Sequence, residues 1–299
     1  MRYVLGLDAG GTKTVALVAD EAGGIVGEAR GGGANVATHG ELGVEKVLHD
    51  VMDRAAADRE IAAVCLGMAG VDRAEDAAVI RGILRRLGHR DRVRVVNDAV
   101  IALVAGTSER VGLAVLAGTG SIAYGADREG RTARAGGLGW ILADEGSAQW
   151  MGREALRAAV RAADGRGPRT ALLGLALEAF RAEGVAEVSA AVYERGAQPS
   201  ELGRLAWTVE AAVGQGDPVA GEILETAAKE LALAARAVYR LLVFAEGPVP
   251  VVLAGGAFKA CPSLVTRVPL HLDVPGADPR LLAVEPAAGA VALARDLLI

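Results

Sequence analysis

The sequence predicts an α/β protein built as two similar lobes with a ligand cleft between them. Three observations predict this. Short apolar runs alternate with stretches of helical periodicity, the pattern of sheets joined by helical crossovers. The succession over residues 2–30 (apolar run, Gly/Thr turn, apolar run, acidic-Gly turn, third apolar run) starts again at Val111 and runs to Ala135, which reads as an internal duplication. The chain has 299 residues, 52% of them hydrophobic, enough for two cores and far from a disordered composition. Aromatic residues are only 3%, so the cores must be aliphatic. The 40 glycines exceed the usual ~7% share and point to many tight turns.

The first element is the hairpin around Asp8-Ala9-Gly10-Gly11-Thr12-Lys13-Thr14, between the apolar runs Tyr3–Leu7 and Val15–Ala19. Gly10 and Gly11 accept backbone angles closed to other residues. Such a turn exposes N–H groups beside the Thr12 and Thr14 hydroxyls and the Lys13 ammonium, a set that can hold phosphate oxygens. Asp8, at the strand end, suits a magnesium ion held largely through water. The same residues equally make an ordinary hairpin with a solvated Asp.

Ile25–Ala29 is a third strand, followed by the flexible loop Gly31-Gly32-Gly33-Ala34-Asn35. Glu41–Arg59 carries Leu42, Val44, Val47, Leu48, Val51 and Met52 at helical spacing. Ile61–Leu66 reads as a buried strand and Ala74–Leu87 as a helix stopped by Gly88. Val93–Val96 is a strand that runs through Asn97-Asp98-Ala99 into a helix from Val100 to about Ala105. In the second unit, strands at 111–116, 122–126 and 131–135 flank the turn Ala117-Gly118-Thr119-Gly120-Ser121, and a Gly-rich stretch spans 136–146. Helices are expected at 147–163, 170–182, 185–193, 200–213 and 218–245, the last with Asp217 as N-cap and Pro218 in its first turn. Val249–Leu253 is a strand ending at Gly255-Gly256, Leu281–Val284 a short strand, and Ala287–Leu298 a helix of small residues. The expected division is residues 1–110 and 111–285, with 286–299 packing back across the junction. Ligands of open α/β sheets bind at the carboxyl ends of strands, where Asp8, Asp98, Thr119 and Gly255 all fall.

Net charge is −5 with no basic patch, which argues against nucleic acid or an anionic membrane as partner. No uncharged apolar stretch reaches the ~18 residues of a membrane span, and the N-terminus has no signal-peptide pattern, so a cytoplasmic protein is expected. Cys65 and Cys261 lie far apart without metal-site spacing, and Cys65 sits in an apolar run as a buried thiol. His39, His49, His89 and His271 show no clustering, and Trp140, Trp150 and Trp207 read as packing residues.

Together the motifs resemble those of the actin-like ATPase and sugar kinase superfamily and, more narrowly, the BadF/BadG/BcrA/BcrD and N-acetylglucosamine kinase family. The resemblance covers almost the whole chain. Leu7–Thr14 is similar to the first phosphate motif, Ala117–Ser121 to the second, and Leu253-Ala254-Gly255-Gly256-Ala257 to the adenosine motif. Gly136-Gly137-Leu138-Gly139-Trp140-Ile141-Leu142-Ala143-Asp144-Glu145-Gly146-Ser147 is the most specific piece, with Leu138 where the family has Trp and Ala143 where it has Gly.

The resemblance implies two ribonuclease H-like lobes with an interlobe cleft and a helical insertion in the C-terminal lobe. It implies ATP and Mg2+ as cofactors, an amino sugar as acceptor, and a homodimer. Asp98 becomes the general base, with Asn35, Asp98, Thr119, Gly137 and Asp144 at the sugar. Gly10, Gly11, Thr12, Lys13, Thr14, Gly118, Thr119, Gly120 and Ser121 go to the phosphates, Gly255 and Gly256 to the adenosine, and Asp8 to the metal. Read without the resemblance, Asp98 and the Asp144-Glu145 pair equally suit helix caps, Asn35 a turn, and Gly255-Gly256 a bulge or helix start. The implied activity is phosphorylation of the 6-hydroxyl of N-acetyl-D-glucosamine, with glucosamine or N-acetylmuramic acid as variant acceptors. An ATPase that activates a dehydratase or reductase shares the scaffold but holds an iron–sulfur cluster through cysteines, an arrangement Cys65 and Cys261 do not offer. A sugar-responsive transcription regulator would need a DNA-binding segment ahead of a first strand that begins at Arg2.

Overall fold

A computed structural model describes residues 2–194 and 198–299. Two five-stranded mixed sheets share one topology. The first holds β1 (Tyr3–Ala9), β2 (Lys13–Asp20), β3 (Ile25–Gly32), β4 (Ile61–Met68) and β5 (Val93–Asn97) in the order β3-β2-β1-β4-β5. The second holds β6 (Gly112–Ala117), β7 (Ser121–Ala126), β8 (Thr132–Gly136), β9 (Val249–Ala254) and β10 (Ala277–Leu281) in the order β10-β9-β6-β7-β8. In each sheet a three-stranded antiparallel meander is extended by two parallel strands. The repeated element order seen in the sequence is thus a repeated sheet.

Helices α1 (Val36–Ala56), α2 (Ala74–Arg86) and α3 (Asp98–Gly106) accompany the first sheet. Between β8 and β9 come α4 (Ala148–Ala163), α5 (Leu172–Phe180), α6 (Val185–Glu194), α7 (Pro199–Gly203), α8 (Ala206–Gly214) and α9 (Pro218–Tyr239). Then follow α10 (Gly256–Ala260), α11 (Ser263–His271) and α12 (Ala287–Asp296). α1 and α2 cover one face of the first sheet with Val44, Leu48, Val51, Ile80, Ile83 and Leu84. The sheet's other face packs on α3 and α12 through Ile101, Ala290, Val291 and Ala294. Leu103 of α3 also reaches Ala114 and Val252 of the second sheet, so this helix lies between the two sheets.

Several expected boundaries move for identifiable reasons. α1 begins at Val36, before the expected Glu41, and kinks at Gly40 (φ 65°), which leaves Leu42 66% exposed instead of on the core face. The expected helix 200–213 breaks into α7 and α8. At the end of α7, Gly152 of α4 lies so close that a Cβ there would stand 2.0 Å from the Leu202 carbonyl. α9 ends at Tyr239, short of the expected Ala245, because the next residues fold back. Phe244 stacks on Tyr239 at 5.4 Å between ring centroids, and the Val243 N–H donates to the buried Asp127 carboxylate. The expected strand 281–284 lies instead at 277–281 as an edge strand; its Pro279 lacks an N–H, which an edge position tolerates. α10 and α11 follow where no helix was expected: one has five residues, and the other contains Pro269. Trp140 and Trp207 are exposed rather than packed.

The junction rests on glycines. A Cβ on Gly6 of β1 would stand 2.4 Å from the Val291 N of α12, and one on Gly289 would stand 1.9 Å from the Ile101 carbonyl of α3. Gly289→Ala is therefore expected to destabilise the protein by about 1–3 kcal/mol, the cost of overpacking, with Gly289→Val worse. Gly214→Ala, whose Cβ meets no neighbour, serves as the neutral control in thermal unfolding. Equal midpoints for Gly289→Ala and the control would refute the close packing of α3 on α12.

Candidate active site

The two Gly-rich hairpin turns come from different sheets and meet. Thr12 Oγ1 and Thr119 Oγ1 are 2.9 Å apart, and a Cβ on Gly11 would lie 3.9 Å from the same Thr119 oxygen. Each turn is closed by one internal bond, Gly10 N–H to the Lys13 carbonyl (2.9 Å) and Gly118 N–H to the Gly120 carbonyl (2.8 Å). Among the described residues, the N–H groups of Gly11, Thr12, Thr119 and Gly120 have no protein acceptor. Two sets of donors thus converge in the manner of an anion nest. The loop after β3 backs the first turn: Ala34 N–H donates to the Gly10 carbonyl, and a Cβ on Gly33 would stand 2.2 Å from the Gly11 carbonyl.

Not every polar side chain of the turns faces outward. The Thr14 hydroxyl is buried and donates to the Gly32 carbonyl (2.8 Å). The Ser121 hydroxyl donates to the Glu145 carbonyl (2.7 Å), and the Ser121 N–H to Asp144 Oδ1 (3.1 Å). Lys13 pairs with Glu285 at 2.9 Å, and Arg30 pairs with the other Glu285 oxygen at 2.9 Å. Burial pushes the Glu285 carboxyl up, but these two cations together hold it below its usual range. Glu285 was not singled out in the sequence; no spacing signal ties residue 285 to residue 13, and only the fold joins them.

Asp8 is the last residue but one of β1, and Asp98 opens α3 after β5. The N-cap of α3 is Asn97, whose Oδ1 accepts the Ala99 N–H at 2.9 Å. The capping role open to Asp98 in the sequence therefore belongs to its neighbour. Both carboxylates keep some contact with solvent, yet burial pushes Asp8 up to about 6, opposed by Lys13 and reinforced by Glu285. Burial, then the charge of Asp8, pushes Asp98 up to about 7, against the pull of the Ala99 N–H. These are two carboxyls near enough to resist joint ionisation. No cluster of three or more His, Cys, Asp or Glu suited to a metal occurs among the described residues. A magnesium ion needs only one or two carboxylates when phosphates and water fill its other positions, so the Asp8 side of the site fits one.

Asp144 is buried in a left-handed conformation (φ 69°) and is raised by burial, with the Ser121 N–H opposing. It backs the second turn, where a Cβ on Gly120 would stand 2.7 Å from its Oδ2. The helix cap is Ser147, which accepts the Trp150 N–H, so Asp144 and Glu145 are not the cap of α4. Gly137 has φ 69° and packs on Ile122. Asn35 donates to the Ala69 carbonyl (3.2 Å) and joins the loops after β3 and β4. Gly255 (φ 116°) places its α-carbon so that a Cβ would stand 2.2 Å from the Ala117 carbonyl, and Gly256 opens α10. The structure thus gathers Asp8, Asp98 and both turns, joins Asp144 and Gly255 to the second turn, and holds Asn35 among the loops beside the first.

A family model described as the BadF/BadG/BcrA/BcrD ATPase family matches residues 5–294. The chain belongs to that family. As a member of an ATPase family it uses ATP. A relative from Clostridium acetobutylicum, named N-acetylmuramic acid/N-acetylglucosamine kinase, is 35% identical over 303 residues and 99% of each chain. The N-acetyl-D-glucosamine kinase of Dictyostelium discoideum is 33% identical over 188 residues, 58% of this chain and 59% of its own. A provisionally named N-acetylglucosamine kinase from Chromobacterium violaceum has been solved as a crystal structure. It superposes with a TM-score of 0.78 at 25% identity, over 98% of this chain and 99% of that one. The fold is the α/β architecture of the actin-like ATPases and their sugar kinase relatives.

The raised carboxyls carry a stability consequence. Asp98 binds its proton more tightly folded than unfolded, so its contribution is intact near pH 4 and is lost as pH rises to about 7. In EDTA and without nucleotide, Asp98→Asn should be more stable than the parent at pH 8 by about 1–2 kcal/mol, with the gap closing by pH 4. Urea unfolding at the two pH values reads this directly, and an Asn variant no more stable at pH 8 would refute the burial of charge at Asp98.

Proposed function

We propose that this chain is an ATP-dependent kinase that phosphorylates the 6-hydroxyl of N-acetyl-D-glucosamine or a related amino sugar, with Asp98 as general base. The observation that carries the reading is the raised Asp98 carboxyl at the start of α3, where Asn97 supplies the cap, within reach of the charge of Asp8 near the end of the first turn's strand. Phosphoryl transfer asks a protein mainly to position its reactants and neutralise charge. The free N–H groups of Gly11, Thr12, Thr119 and Gly120 suit the phosphate oxygens. Lys13 reaches them only by giving up Glu285. Ionised Asp98 takes the acceptor hydroxyl proton, and a carboxylate titrating near 7 is a better base than an ordinary one. Asp8, with water, would hold Mg2+, which supplies charge neutralisation on the phosphates when bound.

The sugar is placed against Asn35, Thr119, Gly137 and Asp144, and the adenosine against Gly255 and Gly256. Residues 1–110 and 111–285 form the lobes, with 286–299 returning to the first, and closure of the cleft excludes water from the γ-phosphate. The reading includes a homodimer in the cytoplasm, as the family resemblance implies. No helix among the described residues is long and apolar enough to cross a membrane. The names of the relatives support the acceptor class.

The activator reading would require thiolates offered at a surface. Cys65 and Cys261 are both buried, lie in different cores, and are pushed up to about 12 by burial.

An ADP-release screen across hexoses, amino sugars and N-acetylated sugars should show turnover with an amino sugar. Steady ATP hydrolysis unaffected by any sugar would favour the activator instead. Asp98→Ala should cut transfer by about 10²–10⁴-fold while ATP still binds, as read by isothermal titration. A fully active variant would remove Asp98 as base.

A further inference from the structure

Asp72, in the loop after β4, is engaged from two directions. The Asn97 Nδ2 donates to Asp72 Oδ1 at 3.0 Å. Arg134 of β8, in the second sheet, forms an ion pair with the same oxygen. The side chains are only 19% and 34% exposed, so the pair is shielded more than an ordinary surface ion pair. A primary amide has a donating end and an accepting end. With its Nδ2 on Asp72 and its Oδ1 on the Ala99 N–H, the Asn97 carboxamide is fixed in one orientation. That amide caps α3, and Asp98 is the first residue of α3. Arg134 stands two residues before the Gly136-Gly137 pair of the Gly-rich stretch. A continuous chain of polar contacts therefore runs from the second sheet through Arg134, Asp72 and Asn97 to the helix turn that presents Asp98.

We propose that Asp72 and Arg134 are positioning residues that make the placement of Asp98 depend on how the two sheets sit against each other. The inference rests on Asp98 as the base. When the sheets are apposed, Arg134 holds Asp72, Asp72 holds the amide of Asn97, and the cap sets the first turn of α3. When they part, the ion pair opens and the Asn97 amide loses its fixed donor partner. A partly exposed pair is weak enough to open and re-form during a catalytic cycle. The Thr12–Thr119 contact also spans the sheets, but it joins only the two turns and has no link to α3.

The test is steady-state kinetics of Asp72→Asn, Arg134→Gln, Arg134→Lys and the double variant Asp72→Asn/Arg134→Gln, on the full chain with the best acceptor sugar. Both single neutral variants should lower kcat by about 10-fold or more while KM for ATP stays within about 2-fold, the pattern of an interaction realised in the transition state. Arg134→Lys should recover much of the lost kcat. The double variant should fall no further than the worse single variant, as expected of residues acting through one contact. Unchanged kcat in both singles would overturn the proposal. So would a loss matched by equal rises in KM and a lowered unfolding midpoint, which marks a purely structural role. Asp98→Ala in the same assay separates the two readings. If it stays active, the base is another residue and a loss in Asp72→Asn does not run through Asp98; if it is inactive while Asp72→Asn keeps full kcat, the positioning role alone falls. If both stay active, both readings fall.

Discussion

The contact between α3 and α12 is the constraint on which the rest of the molecule depends. At Gly289 the helices meet backbone to backbone, and α12 lies almost as closely on β1 at Gly6. α3 is pressed in turn on β4, where a Cβ on Gly67 would stand 2.4 Å from Ile101 Cδ1, and on β9, where one on Gly106 would stand 2.5 Å from Val252. Both sheets are therefore indexed to one small helix. The hairpin turns at their strand ends meet across a 2.9 Å hydroxyl contact, and Asp98, on the first turn of that helix, is delivered to the same place. A methyl group at Gly289 would act on the chemistry by moving helices, without touching a ligand.

The charge arrangement follows from the same geometry. The charges of Asp8 and Asp72 add to burial in raising Asp98, and burial keeps Asp8 and Asp98 protonated to higher pH than free carboxyls. The cations nearest the first turn are already held, Lys13 and Arg30 by Glu285. A triphosphate entering here meets backbone N–H groups first and gains Lys13 only by displacing a carboxylate. The proposed nucleotide site would thus rely on directional donors rather than on a surplus of positive charge, in keeping with the acidic chain as a whole. It also makes the acidic cluster a source of instability in the empty protein, the kind of local cost that active sites carry.

Much of this was legible in the sequence because the signals were local. Strand–turn–strand patterns at Tyr3–Ala19 and Val111–Ala126 and the Pro218 start of α9 depend on neighbouring residues, and the repeated topology follows from the repeated order. What the sequence hid was long-range. Thr14 and Ser121 have the same hydroxyls as Thr12 and Thr119, yet pleat direction turns the first pair inward to Gly32 and Glu145. Asn97 and Asp98 are adjacent, both good caps, and only the backbone geometry assigns the cap to Asn97 and frees Asp98. Lys13 with Glu285, and Asp72 with Arg134, are 272 and 62 positions apart by their residue numbers, and no periodicity reports such pairs.

Between the proposed kinase and an iron–sulfur activator ATPase, the cysteines of this chain favour the kinase. Cys65 is in β4 beneath α12, and its thiol is pushed up by burial against a weak opposing pull from Arg94. Cys261 lies between α10 and α11, and its thiol donates to the Ala206 carbonyl. A cluster ligand must be a thiolate that reaches its partners. Neither residue meets that condition without unfolding the core around it, and each fills space that a polar ligand would not. Under the proposed function, the phosphoryl-transfer chemistry of this chain falls to the raised carboxyl of Asp98. The acceptor proposed for it, a monosaccharide hydroxyl, is small enough to approach two turns that already touch.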